Sequence, residues 1–433
     1  MTGRLVDEVR SLLRAAVDAH RDDPDTAELL RRRLDRMDGP LRVALAGKAE
    51  AGKSTLLDAL AGEEVTPTGT RVVTHRHGPT PGVAGSPAVD RPARDLPDVT
   101  LTDTPDVSAT RIPAAEDEAD AVLYLMRHLH SADLRLLASF HDRGVARATP
   151  VHTVAVLSRA DEVGAGRIDA LMSARRVARR HRADPRLRGL CQTVVPVAGL
   201  IARTARTLRH DEYTALAALA AAPRAEAESA MLSVDRFTRA GPDHAGLLAR
   251  FGLFGVRLSL GLIRQGFADP VRLAAELRRR SGLDELRGTL SVLFGERRDL
   301  LKARSALLAV DAVLRDQAAP HTVPLLTEVE RVLADAHEFA ELRTIGVLRS
   351  GAVAFPAGAG EEAERLLGGA GAGVWTRLAV PADTARRDQR AAAWAALGRW
   401  QRWAENPLSS RDFVDVARVV VRSCEGLVDQ LDD

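Results

Sequence analysis

The sequence predicts an α/β domain, with a mostly parallel sheet and helices on both faces, joined to an all-α helical bundle formed by the C-terminal half and the N-terminal helix. Three observations carry this expectation. Short apolar runs alternate with helical stretches between about residues 41 and 206. After about residue 207 the strand signal stops, and apolar residues recur at spacings of three and four. Residues 4–37 show that helical spacing ahead of the first strand.

Leu5, Val9, Leu12 and Ala16 form one apolar stripe, and Gly39-Pro40 ends the N-terminal helix. The runs 41–46, 99–102, 121–126, 151–157 and 194–197 read as strands. Segments 55–61, 132–140 and 168–180 read as the helices between them. Further on, Leu300, Ala303, Leu307, Val310 and Leu314 make a seam close to the heptad spacing. Leu325, Val329, Val332, Ala336 and Phe339 repeat it, and Phe413, Val416, Val420, Cys424, Leu427 and Leu431 line a C-terminal helix. Three such helices predict an antiparallel bundle. The N-terminal helix, packed on it, would bring the chain ends together. The expected organisation is an N-terminal helix at 1–38, the α/β domain at 39–207 and a helical neck and trunk at 208–433. The Gly/Ala-rich stretch 351–373 reads as a flexible interhelical loop or as a bundle tip that touches lipid or a partner. Trp375, Trp394, Trp400 and Trp403 all follow it and read as core aromatics.

Composition excludes several classes. The formal charge of +2 gives no global basic field, and 3% aromatic residues leave few stacking platforms, so no nucleic-acid partner is expected. Cys191 and Cys424 match no metal or disulfide spacing and fit a reducing cytoplasm. The longest apolar run, 251–263, is interrupted by Gly252, Gly255, Arg257 and Gly261, whereas a span needs about 20 apolar residues. No transmembrane helix is expected, and any membrane association would be peripheral, at the inner face of the plasma membrane. His75 with His77, and His128 with His130, lack a nearby third ligand and read as polar loop or strand faces.

The chemistry concentrates in RVALAGKAEAGKSTLLDALAG, residues 42–62. An apolar strand runs into Gly47-Lys48-Ala49-Glu50-Ala51-Gly52-Lys53-Ser54, and an amphipathic helix follows. That is the spacing of a phosphate-binding loop. Gly47 and Gly52 let the backbone wrap a phosphate with its N–H groups inward, Lys53 would reach the β- and γ-phosphates, and Ser54 would hold Mg²⁺. Lys48, Glu50, Ala51 and Thr55 complete the loop's contacts with nucleotide. Only Lys48, Lys53 and Lys302 are lysines among 61 Lys+Arg residues, and two of the three fall in this loop. A point-charge ammonium there is not interchangeable with a guanidinium.

Asp103, at the end of the strand in VTLTDTPD (99–106), can hold Mg²⁺ through water. Thr70, with Thr68 as the alternative, sits between these elements and can complete the metal's coordination once a γ-phosphate is present. Lys53 and Thr70 are thus the candidate catalytic residues, and Ser54, Thr70 and Asp103 the candidate metal ligands. VHTVAVLSRADE (151–162) ends a strand in Ser158, Arg159 and Asp161. A carboxylate at Asp161 accepting from N1 and N2 selects guanine over adenine, and Arg159 can lay its stem along the purine. In VVPVAGL (194–200) the Ala198 N–H, with Gly199 beside it, would face guanine O6. The cofactors expected are therefore GTP/GDP and Mg²⁺.

The order of these motifs resembles the bacterial dynamin-like GTPases. It is most similar to the actinobacterial branch with the mycobacterial isoniazid-inducible proteins and the paired sporulation dynamins of Streptomyces. AGKSTLLDALAGEEVTPTG and TRVVT within 51–74, LTDTP (101–105), VLSRADEVG (156–164), VPVAGLIA (195–202) and DLLKARSAL (299–307) carry the likeness. It implies a P-loop GTPase domain on a helical neck and trunk, assembly as a homo-dimer or with another dynamin-like protein, and action at membranes in septation or envelope maintenance. Two positions depart from the pattern: Asp106 replaces a Gly, and Glu50 replaces Ser or Asn. Both add negative charge near the γ-phosphate. Two readings stay open: a GTP-hydrolysing dynamin-like protein, and a hydrolysis-poor GTP-binding partner subunit of a larger one.

Overall fold

The structure, a computed structural model, describes residues 2–62, 74–76, 88–90, 98–103, 119–139, 152–241, 243–317, 319–351 and 353–432. Seven strands form one sheet: β1 (Leu41–Gly47), β2 (Thr74–Arg76), β3 (Ala88–Asp90), β4 (Val99–Asp103), β5 (Ala121–Met126), β6 (Thr153–Leu157) and β7 (Val194–Pro196). Their order is β3-β2-β4-β1-β5-β6-β7. Five strands from β4 to β7 run parallel, and β2 is antiparallel to β4. β1, β5 and β6 are near-continuous apolar runs because both of their faces are covered.

Helices of eight residues or more are numbered in chain order. Ahead of the sheet lie α1 (Thr2–Ala19) and α2 (Pro24–Arg36). Between its strands, and following β7, come α3 (Lys53–Ala61), α4 (Ser131–Ser139), α5 (Ala170–Ala183) and α6 (Gly199–Arg206). The rest are α7 (His210–Ala221), α8 (His244–Arg264), α9 (Pro270–Ser281), α10 (Leu283–Leu290), α11 (Arg298–Asp316), α12 (Val323–Asp335), α13 (His337–Ser350), α14 (Ala359–Leu366), α15 (Arg386–Ala404) and α16 (Arg411–Asp432).

Strand alternation divides the interior. Val43, Leu45, Leu123, Leu125 and Val156 face a core shared with α1, α3 and α11. Ala46, Tyr124, Met126, Ala155 and Leu157 face a second core with α4, α5, α8 and α9. A third core contains Leu348, Leu366, Leu397, Trp400, Phe413, Val420 and Leu427, contributed by α13 to α16. The α/β sheet with helices on both faces and a helical C-terminal half is thus present. The helices gather around more than one core. α1 packs on α11 and α12, whereas α16 packs on α13, α14 and α15 around a separate core. The apolar seams of α11 and α16 look alike in sequence, yet each is filled by different neighbours.

By length and composition α8 could cross a bilayer. It is broken at Gly252 (φ 65°, ψ 167°), and Phe251, Phe254, Val256 and Leu260 are buried in the second core. One further expectation changes, that of the tryptophans as core aromatics: only Trp400 is fully buried, while Trp375 and Trp394 are 44% and 52% exposed. At the Gly-rich stretch, Glu296 accepts from the Ala372 and Gly373 N–H groups at 2.7 and 3.1 Å, Arg297 donates to the Gly368 carbonyl, and Phe355 packs on Phe413.

At the amino end of the sheet, α11 is fastened to the strands. Lys302 Nζ donates to the carbonyls of Met37 (2.5 Å) and Gly39 (2.7 Å), holding the turn that enters β1. Asp120 accepts from Ser305 Oγ at 2.6 Å and from the Arg42 N–H at 3.0 Å. Arg298 pairs with Asp98 at 2.7 Å.

Candidate functional site

The strand order reverses at β1, whose neighbours β4 and β5 lie on opposite sides, and ligands of open α/β sheets bind in the crevice at such a point. Gly47, the last residue of β1, lies in register with Leu125. Its φ is +151°, and a Cβ there would stand 2.6 Å from the Leu125 carbonyl oxygen, so only glycine fits. The chain then turns through Glu50 (φ 58°) and Gly52 (φ 90°) into α3. No side chain caps α3 at Gly52. Its first-turn N–H groups, which lack acceptors within the helix, therefore suit an anion.

Lys53 is 7% exposed, and its Nζ donates to the carbonyls of Gly47 (3.1 Å) and Lys48 (3.3 Å), so the ammonium lies over the loop. Ser54 follows on the exposed side of α3, with Thr55 half-buried next to it. Lys48 is directed elsewhere: its Nζ is 2.9 Å from Asp133 Oδ1, at the start of α4. Asp133 is buried and also accepts from the Tyr124 hydroxyl (2.8 Å) and the His130 N–H (2.9 Å). Glu50 is exposed, as a charged side chain at a loop tip should be.

The phosphate loop and the end of β6 share one cleft of about 140 Å³, lined by Ala51, Gly52, Thr55, Ser158, Asp161 and Gly199 among others. Asp161 is 7% exposed, and burial, reinforced by neighbouring Glu162, pushes its carboxyl above the usual range. Ser158 Oγ is buried without a hydrogen-bond partner among the described residues. Such an atom in a cleft wall is suited to a polar ligand. Arg159 (φ 50°) ties the two halves together, donating to the Glu50 carbonyl at 2.9 Å and to Glu162 at 2.9 Å. Arg127 also holds Glu162, at 2.8 Å.

One assignment is corrected. The Ala198 N–H donates to the Ser281 carbonyl at 2.9 Å, so it does not face the cleft. Gly282 (φ 86°) makes this contact possible, because a Cβ there would fall 2.1 Å from the Pro196 carbonyl. Gly199 begins α6 and lines the cleft, and its N–H has no acceptor within the helix. Asp103 ends β4, and its backbone is in register with Leu45, two residues before Gly47. Thr68, Thr70 and Asp106 lie outside the described residues. Among the described residues no group of three His, Cys, Asp or Glu side chains gathers as a metal site.

Positioning residues escaped the sequence reading. Arg203 lies 3.8 Å from buried Asp58, tying α6 to α3, and Arg287 donates to the Leu60 carbonyl at 3.1 Å. Asp133 could have been found from its place in the first turn of a helix, a common site for a carboxylate. The arginines carry no local signal in a chain this rich in them. The assembled groups fit a nucleoside phosphate: an N–H-lined loop and Lys53 for the phosphates, a buried carboxylate and a hydroxyl for the base.

No family model matches the chain. It is similar to isoniazid-induced protein IniC of Mycobacterium tuberculosis, strains CDC 1551 / Oshkosh and ATCC 25618 / H37Rv, with 38% identity over 483 aligned positions covering 98% of each chain. Among solved structures it is similar to a chain of an oligomerised bacterial dynamin pair that senses and tethers membranes, with 12% identity and a TM-score of 0.33. That match covers 100% of this chain and 76% of the other. LeoA, a bacterial dynamin GTPase from ETEC, matches at 12% identity and a TM-score of 0.26, over 100% of this chain and 95% of LeoA. Superpositions this loose add nothing to what the sheet and the IniC relationship establish. At 38% identity over nearly the whole length, the chain belongs to the family of isoniazid-induced protein IniC.

Proposed function

We propose that the chain binds GTP and GDP with Mg²⁺ in this cleft and hydrolyses GTP, nucleotide state governing assembly with itself or another dynamin-like protein in membrane remodelling or septation. The observation that supports it best is the single cleft in which the phosphate loop meets Ser158 and Asp161. Asp161 would accept from guanine N1 and N2, Ser158 Oγ would gain the partner it lacks among the described residues, and Gly199 takes the O6 role that Ala198 cannot fill. Lys53 and the first turn of α3 would hold the phosphates. Mg²⁺, when bound, would neutralise charge between β- and γ-oxygens, with Ser54 and Asp103 as its candidate ligands and Thr70 completing them. Such chemistry rests on positioning and electrostatics, so no side-chain base is required.

The second reading is a hydrolysis-poor, GTP-binding partner subunit, working in the cytoplasm and at the inner membrane face through its partner. Exposed Glu50 on the loop favours it, as does Asp106 in the sequence, each a carboxylate where the family pattern has an uncharged residue. Calorimetric titration with GTP, GDP and ATP tests the binding reading, and equal affinity for ATP and GTP would sink it. Phosphate release measured alone and with candidate partners separates the two readings: brisk turnover alone removes the second. Co-sedimentation with liposomes, with and without GTP, tests direct membrane contact.

A further inference from the structure

Strand β7 has the nucleotide cleft beyond its carboxyl end, and a larger cavity precedes its amino end. This cavity, of about 390 Å³, lies between the α5–β7 edge of the sheet and helices α13 and α14. Its size is that of a small-molecule site. Four arginines line it, Arg179, Arg182, Arg188 and Arg349, against the single carboxylate of Glu364. The whole chain is nearly neutral, with a formal charge of +2, so this surplus is local.

The arginines are held from both sides. Arg182 donates from Nε to the Val194 carbonyl at 2.7 Å and pairs with Glu285 at 2.9 Å, which fixes its guanidinium in the wall. Arg349 is 7% exposed; Glu364 lies 2.7 Å from its Nη2, and the Gly369 carbonyl 3.2 Å away. Its Nη1 is buried without an acceptor among the described residues. Arg179 and Arg188 make no ion pair among the described residues. An arginine-rich surface would leave guanidinium groups scattered in water. Here one is buried, part-satisfied and set opposite others from a different part of the chain, which is an arrangement for an anion that can accept from several forks at once. Cys191 also lines the cavity, but burial pushes its thiol up to about 12, so it supplies neither charge nor a nucleophile.

We propose that this cavity binds a small phosphate-type anion, a pyrophosphate, a phosphate monoester or the phosphate of a lipid headgroup, which bridges the β7 edge of the sheet to the C-terminal helices. This site is independent of the nucleotide cleft. Calorimetric titration of inorganic pyrophosphate into full-length Lys53→Ala, whose phosphate loop lacks its ammonium, is the test. One-to-one binding is expected, weakened about tenfold by Arg188→Ser or Arg179→Ser, each of which removes a charge-assisted contact. Arg349→Gln should weaken it at least as much. Because Arg349 is buried, the two surface variants carry the result if that chain misfolds. GTP affinity of Arg188→Ser in the otherwise native chain should stay unchanged, so failure here and failure of the nucleotide reading are distinguishable. No heat at millimolar pyrophosphate, or heat indifferent to Arg188→Ser and Arg179→Ser, overturns the proposal. Vesicles of phosphatidylglycerol that compete with pyrophosphate, where phosphatidylcholine vesicles do not, identify a headgroup as the occupant. Pyrophosphate binding without competition identifies a soluble anion.

Discussion

At the amino end of β1, Asp120 takes the Arg42 N–H and the Ser305 hydroxyl while Lys302 fills two carbonyls of the entering turn. At the carboxyl ends of β1 and β6, Ser158 Oγ has no partner among the described residues, α3 has no side-chain cap and Asp161 is buried against its preference for water. One end is satisfied by the chain itself, and the other presents unsatisfied groups. The difference separates groups that hold the fold from groups suited to a ligand. It also gives each a different expected response to substitution: affinity at the open end, stability at the closed one.

The largest effect is expected at the open end. Lys53→Ala should weaken GTP and GDP binding by about 100-fold, ~3 kcal/mol, as the loss of charge-assisted hydrogen bonds to phosphate. Calorimetry on the folded variant checks this, and unchanged affinity would break the contrast. Asp161→Asn should remove most of the preference for guanine over adenine, also a change of about 100-fold, since a site that pairs with ligand donors discriminates through them. It carries a second signature. Burial raises the Asp161 carboxyl above the ordinary carboxylate range, so the folded chain keeps this proton at a pH where the unfolded chain has lost it. Its favourable contribution is full below the unfolded pKa and is lost as pH rises through the folded one. Asp161→Asn should therefore melt higher than the native chain at neutral pH, with the gap closing in acid. A native chain that is the more stable at pH 7 would contradict that account.

At the closed end the order of effects reverses. Lys302→Met keeps the length of the side chain but strands two carbonyls, and should cost about 2 kcal/mol in denaturant titration with GTP affinity intact. Ser305→Ala takes one donor from Asp120 while the Arg42 N–H remains, so about 1 kcal/mol is expected. A loss of GTP affinity in either variant, at temperatures where it is folded, would show that the two ends are coupled.

The parts of the site legible in the sequence were those whose chemistry is local. The apolar run into Gly47, the glycines of the turn and the Lys53-Ser54 start of α3 lie within one strand, one loop and one helix, so spacing alone displays them. Asp161 was legible for the same reason, at the end of an apolar strand. Ala198 was misread because its N–H partner, the Ser281 carbonyl, is 83 positions away and depends on the backbone conformation of Gly282. The grip of Lys302 on the turn before β1 spans a separation of 265 residues to Met37 and leaves no local pattern. Periodicity placed α11 and α16 as helices and gave their apolar faces. It could not say which faces meet, because one heptad-like seam fits another about equally well.

The lysines have a practical consequence for chemistry at the bench. Lys53 and Lys302 are buried, and Lys48, whose side chain is 41% exposed, is the one accessible ε-amine in a chain of 433 residues. An amine-directed dye or acylating reagent should therefore mark, besides the α-amino group, a single position in the phosphate loop. Its rate of attachment, followed by mass spectrometry, would serve as a gauge of whether that loop is occupied.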